Sequence, residues 1–189
     1  MKPTLLKPEN VCLHIIDVQK SLMAKIDRAD SVIDNIVLMI EVARILDIPI
    51  IANTQYEKGL GPYVDRVESY MDGVMRFDKV EFSAMANPRT RAFLEELPSK
   101  VSTVILVGVE SHICIYQTAA GLLDMGKDVW VVTDAVSSIK REDHEAGIDR
   151  ILRIGGSAGP TQMLIYELLG RAGSAEFKEV LPHIIRRQQ

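Results

Sequence analysis
The chain has 189 residues, 47% hydrophobic and 25% charged, the size and balance of one folded domain with a sizeable core rather than of a disordered segment. Its 22 basic and 26 acidic residues leave a formal charge of −4, with no basic run or basic–aromatic stripe, so no nucleic-acid partner is expected. No apolar stretch approaches the ~20 residues needed to cross a bilayer, so no membrane partner is expected, and Met1–Leu6 lacks the apolar core and cleavage site of a secretory signal.

A rhythm of apolar strand followed by amphipathic helix runs along the whole chain, without repeats or linkers. Val11–Val18 reads as a strand and Ser31–Leu46 as a helix, stopped by Asp47-Ile48-Pro49 because a proline disfavours helix in the residue before it. Pro49–Thr54 is the next strand, Gly59-Leu60-Gly61-Pro62 a loop, and Val74–Lys79 a short strand. Asn87–Leu97 is a helix with Asn87 as its cap and Pro88 at its first position. Val101–Val109 is β-branched almost throughout, as in a strand buried on both faces. The helix that follows runs from Ser111 to Met125 and closes at Gly126. Then come a strand at Asp128–Val132, a helix at Arg141–Arg153, a turn in Gly155–Gly159 with a short last strand at Ser157-Ala158, and a helix at Thr161–Leu169. The tail Ala175–Ile185 reads as helix interrupted at Pro182, and Arg186-Arg187 as solvated. Alternating strands and helices imply an α/β fold, a parallel sheet with helices on both faces, and ligands bind beyond the carboxyl ends of such strands.

Three residues at those strand ends carry chemistry. Cys114 falls in the first turns of a helix, where backbone N–H groups and the dipole favour a thiolate; an inert buried thiol is the commoner fate of a lone cysteine. Asp17 ends an apolar run, where an acid must be paired or functional; its structural alternative is tying down the next loop. Lys79, flanked by Phe77, Val80 and Phe82, either snorkels to water or pairs with a carboxylate. The second cysteine, Cys12, and His14 read as core, with His14 on the strand face opposite Asp17. His112 stands two residues from Cys114 and does not face it on a helix, and His144 and His183 lie in polar helical settings without an evident partner. The two cysteines fit no metal-binding spacing, and free thiols suit a cytoplasmic protein.

Asp17-Val18-Gln19, Phe77-Asp78-Lys79-Val80-Glu81-Phe82-Ser83-Ala84 and Val107-Gly108-Val109-Glu110-Ser111-His112-Ile113-Cys114 resemble, in order, the three motifs of the isochorismatase-like cysteine hydrolases. Gln55–Gly61 and Phe177-Lys178-Glu179 look closest to the branch called isochorismatase-domain-containing proteins. The resemblance spans nearly the whole chain and implies one domain over residues 1–189, a three-layer αβα Rossmann-like sandwich with a six-stranded parallel sheet in the order 3-2-1-4-5-6. It implies Asp17, Lys79 and Cys114 as the catalytic set, and an oxyanion hole from the N–H groups of Cys114 and Glu110, the latter presented by a cis bond after Val109. Gln19, Gln55, Tyr56, Phe82 and Ile113 are then the candidate substrate contacts, and a homo-oligomer is expected, helped by the apolar segments Met163–Leu169 and Val180–Ile185.

Nicotinamidases of this superfamily carry an Asp-x-His metal set after the second strand, where this chain reads Asn53-Thr54-Gln55-Tyr56, so no metal and no cofactor are expected. The expected activity is hydrolysis of a small amide through a Cys114 acyl-thioester. The alternatives are vinyl-ether cleavage with Asp17 as acid, which does not need the cysteine, and a non-catalytic binding or assembly protein.

Overall fold
In the computed structural model, which describes residues 5–187, the β-branched runs of the sequence become strands β1 (Val11–Ile16), β2 (Ile50–Gln55), β3 (Met75–Lys79), β4 (Thr103–Val109), β5 (Asp128–Ser137) and β6 (Ser157–Gly159). The longer helices between them are α2 (Ala29–Ile45), α5 (Pro88–Glu96), α6 (Tyr116–Asp124) and α7 (Arg141–Arg153), and α8 (Thr161–Leu169) and α9 (Ala175–Arg187) follow β6. Three one-turn helices, α1 (Lys20–Met23), α3 (Glu57–Leu60) and α4 (Asp65–Glu68), lie in the connections. All strand pairs are parallel and the sheet order is β3-β2-β1-β4-β5-β6. The period of two sorts β1 between two cores: Val11, Leu13 and Ile15 pack with α2, α8 and α9, while Cys12 and Ile16 pack with α5, α6 and α7. The result is the expected three-layer αβα sandwich.

Several local expectations shift. β1 ends at Ile16 rather than Val18, because Asp17 turns the chain with a φ of 57°. A short helix, α3, occupies part of the expected Gly59–Pro62 loop. β5 runs five residues beyond Val132: the side chain of Asp134 accepts from the Thr161 N–H and hydroxyl at the start of α8, so the polar residue does not end the strand. The pairing with β4 jumps from Leu106↔Val131 to Gly108↔Val136, and this irregularity carries the end of β5 to the end of β4. Gly108 itself has no substitute, since a Cβ there would stand 2.0 Å from the Ile16 carbonyl oxygen. α9 continues through Pro182, whose missing N–H is offset by burial of Val180 and Ile184. Arg186 of the expected solvated tail is exposed and also reaches Glu41 of α2 at 2.6 Å, while His183, read as without a partner, reaches the same carboxylate at 2.9 Å. The apolar faces of α8 and α9 are used within the chain, leaving Met163, Tyr166 and Ile185 exposed.

His14 is wholly buried, its Nε2 2.7 Å from Asn53 Oδ1. Asn53 Nδ2 donates to the Phe77 carbonyl and to Thr90 Oγ1 of α5, so Oδ1 must accept and Nε2 carries the hydrogen. Burial pushes the imidazole down from 6.5 to about 4, with the Asn53 hydrogen bond opposing and Lys79 adding to the shift. Between those values the unfolded chain binds the proton and the fold does not, so stability is lost as the pH falls from 6.5 towards 4, by on the order of 3 kcal/mol for this group. Denaturant titrations across that window are expected to show a flatter pH slope in His14→Gln, which keeps a donor to Asn53; equal slopes would refute the assignment.

Candidate active site
The centre of the sheet, where the winding reverses between β1 and β4, is the topological position for a ligand crevice. Asp17 leaves β1 there in the left-handed region that aspartate tolerates, its N–H held by the Asn53 carbonyl at 3.0 Å. Lys79, the last residue of β3, is paired in register with Gln55 of β2. Its stem crosses the edge of β2, and Nζ donates to Asp17 Oδ2 at 2.8 Å and to Gln55 Oε1 at 2.6 Å. The ion pair is fully enclosed, at 0% side-chain exposure for both partners. Burial raises the Asp17 carboxyl above its usual range against the pull of the Lys79 ammonium.

Cys114 follows β4 in a π-helical turn, Ser111–Ile115, that precedes α6, where the sequence suggested α-helix from Ser111 onward. Its thiol lies within hydrogen-bonding and electrostatic reach of Asp17, whose Oδ1 has no conventional partner. Burial first, and then the Asp17 charge, push the thiol up to about 12, while Lys79 and a backbone hydrogen bond from Glu110 pull it down. This corrects the expectation of a lowered thiol pKa: enclosure and a neighbouring carboxylate outweigh the start of the helix. A protonated thiol beside a carboxylate and an ammonium is an arrangement in which a proton leaves sulfur as the sulfur attacks. Cys12 is also pushed up to about 12 by burial, with the Lys127 charge opposing.

The peptide bond between Val109 and Glu110 is cis, Val109 lies in the core, and the Glu110 carboxylate accepts from the Ile139 N–H at 3.3 Å. Gln19, read as a substrate contact, is wholly buried: Nε2 donates to the Gln55 and Gly61 carbonyls at 3.0 and 2.7 Å, and Oε1 accepts from the Gln55 N–H at 2.7 Å. Its amide is saturated by the backbone, so it fastens the strap between β2 and α4. Tyr63 completes that strap, with its ring enclosed and its hydroxyl 2.5 Å from the Asn53 carbonyl. Gln55 likewise holds Lys79 and donates to the Val80 carbonyl at 2.9 Å. Tyr56 and Phe82 are 50% and 55% exposed, and Ile113 is half-buried against the Cys114 side of the core.

Sequence reasoning gave Ser111 no role of its own within the third motif, read His144 as lacking an evident partner, and missed Ser138. His144 is buried, with Nδ1 2.9 Å from Ser111 Oγ, and Ser138 Oγ accepts from the Ser111 N–H at 3.1 Å. The available signal was the polar Ser137-Ser138 pair, placed beside β4 only once β5 is allowed its full length. Asn53, at the position of the metal-site stretch, has its amide engaged by His14, Phe77 and Thr90. Among the described residues no group of three or more His, Cys, Asp or Glu could hold a metal ion, and no helix is long and apolar enough to cross a membrane.

The isochorismatase domain model matches residues 11–162. The chain is similar to the secreted isochorismatase effector Isc1 of Phytophthora sojae, 33% identical over 92% of this chain and 83% of that protein. It is 32% identical to isochorismatase domain-containing protein 2 of Rattus norvegicus, over 92% of this chain and 80% of the relative. Among solved structures, the MAR1 ribonuclease of Caenorhabditis elegans is 35% identical and superimposes with a TM-score of 0.89, over 96% of this chain and 93% of that one.

Proposed function
Since the chain belongs to the isochorismatase domain family of hydrolases, among the isochorismatase domain-containing proteins, we propose that it hydrolyses a small amide through Cys114 without a metal or cofactor. The observation that carries this reading is the enclosed Asp17–Lys79 pair beside the Cys114 thiol. Asp17 accepts the thiol proton as sulfur bonds to the carbonyl carbon, and Lys79 holds the carboxylate in place and offsets the developing negative charge. The backbone N–H groups of Glu110 and Cys114 receive the oxyanion. The amine leaves with the proton from Asp17, and water, deprotonated by the same carboxylate, then releases the acid from the thioester. A vinyl-ether substrate would need Asp17 as acid; the raised Asp17 carboxyl is compatible with that, but the thiol within its reach has no role in it.

An RNA substrate is the second reading, prompted by the name of the C. elegans protein; the acidic balance of 22 basic against 26 acidic residues weighs against it. The whole chain acts as one domain in this proposal, and its free thiols suit a cytoplasmic setting. The exposed apolar side chains of Tyr56, Val80 and Phe82 at the β2–β3 end of the site favour a homo-oligomer, to be checked by light scattering. A panel of small primary amides and a single-stranded RNA, assayed for ammonia and for strand cleavage, tests the reading. Ammonia from at least one amide with wild-type protein, and none with Cys114→Ala, is expected. Cleavage of RNA with every amide intact would overturn it.

A further inference from the structure
The Glu110 backbone stands close enough to the Cys114 sulfur to pull its thiol down, so the direction of that peptide group bears on any charge formed there. The turn that carries it is held from three sides. The Glu110 carbonyl accepts from the Ile113 and Ile115 N–H groups, both at 3.1 Å, and the Ser111 N–H of the same peptide plane donates to Ser138 Oγ at 3.1 Å. Ser138 Oγ also meets His112 Nδ1 at 3.0 Å, while the Ser111 hydroxyl is bonded to His144 Nδ1 at 2.9 Å. Ser111, Ser138 and His144 are all buried. α7 lies directly on the turn: a Cβ on Gly147 would come within 2.8 Å of His112 N and the Ser111 carbonyl carbon.

From this clasp we infer that Ser138 and His144, outside every motif, are positioning residues that aim the Glu110 N–H at the oxyanion. The inference rests on Cys114 being the nucleophile. Two buried side chains grip one residue, Ser111, through its N–H and through its hydroxyl. The peptide plane after Glu110 is thereby fixed at both its N–H and C=O ends, while the Val109–Glu110 peptide that carries the Glu110 N–H is held from the other side by the pairing of Val109 with Ser137, so Glu110 is anchored on both sides and its N–H has little freedom to swing. His144 acts through Ser111 and does not touch the reacting atoms.

Two probes separate aiming from general damage. With 4-nitrophenyl acetate, the thiolate bonds to the acetyl carbon through a tetrahedral oxyanion and 4-nitrophenolate leaves. With methyl methanethiosulfonate, the thiolate bonds to the methylthio sulfur, methanesulfinate leaves, and no such oxyanion forms. Ser138→Ala and His144→Ala are expected to slow acetylation by about 10- to 100-fold while thiosulfonate labelling of Cys114, followed by mass, stays within about twofold. His144→Asn, which retains a hydrogen-bonding atom near the Nδ1 position, is expected to recover acetylation to within about threefold of wild type. Unchanged acetylation in both alanine variants would overturn the inference, and so would an equal fall in both reactions, which marks a displaced thiol. A 4-nitrophenolate burst that survives in Cys114→Ala would show instead that the nucleophile had been misassigned. Thermal melts of each variant report the fold independently.

Discussion

Replacing Cys114 by alanine is expected to lower amide turnover by about 10⁴-fold or more, with the thermal melt close to that of wild type. The size follows from the proposed role: without sulfur no acyl intermediate would form, and the buried Asp17–Lys79 pair would have no nucleophile to deprotonate. Cys114→Ser should fall nearly as far, because the less acidic hydroxyl is a poorer nucleophile beside the same carboxylate. Quenched wild-type reactions should show protein heavier by the acyl group, attached at Cys114. Turnover that survives in Cys114→Ala would favour the Asp17 acid mechanism. The thiol's elevation to about 12 has a further consequence: without an acyl substrate, alkylation of Cys114 should keep rising with pH through 9 and 10 instead of levelling off near neutrality.

The largest stability effect is expected at Lys79. Lys79→Met removes the cation and leaves the Asp17 carboxylate wholly enclosed, facing only the thiol, which should cost about 3–5 kcal/mol in denaturant unfolding. The double variant Asp17→Asn/Lys79→Met removes both charges and should regain most of that loss, although it should be inactive. The pH dependence has a definite sign. Asp17 is already raised above 3.8 in the fold, and losing Lys79 raises it further, so the folded form prefers the protonated acid. Stability from such a group is present below 3.8 and declines as pH rises through the folded value, so the Lys79→Met deficit should be smaller near pH 4–5 than at pH 7. A deficit that is flat in pH, or a double variant no more stable than the single, would show that the pair is not coupled as described.

Much of the architecture was legible because its signals are local. The period of two in Val11–Ile16, the cap at Asn87 with Pro88 behind it, and the left-handed Gly126 just after α6 are properties of a few adjacent residues. Where a local signal competed with a distant partner, the sequence misled. Thr133-Asp134 looked like the end of a strand because the Thr161 groups that satisfy Asp134 lie 27 residues away. Pro182 looked like a break because the core that absorbs Val180 and Ile184 belongs to other elements.

The same division runs through the site. Strand ends and motif order placed Asp17, Lys79 and Cys114 at one edge of the sheet, since a parallel sheet puts the carboxyl ends of its strands together whatever fills the loops. The sequence could also state that an acid and a lysine in apolar company need partners. That they are each other's partners across 62 residues, with Gln55 as the lysine's second acceptor, was decided by strand register. The direction of the thiol's pKa could not be read from the start of a helix, because it depends on how much water remains and on which charge stands nearest. Gln19 shows the same limit: its motif position suggested a ligand, but the folded chain delivers a backbone N–H and two carbonyls to its amide. Ser138 and His144 carried no signal at all, for a serine after a strand and a histidine on a polar helix acquire meaning only when α7 closes onto the turn beneath Cys114. Residue type and spacing thus fixed which groups were available, while burial and long-range contact fixed which of them meet, because both depend on chain segments far apart in sequence.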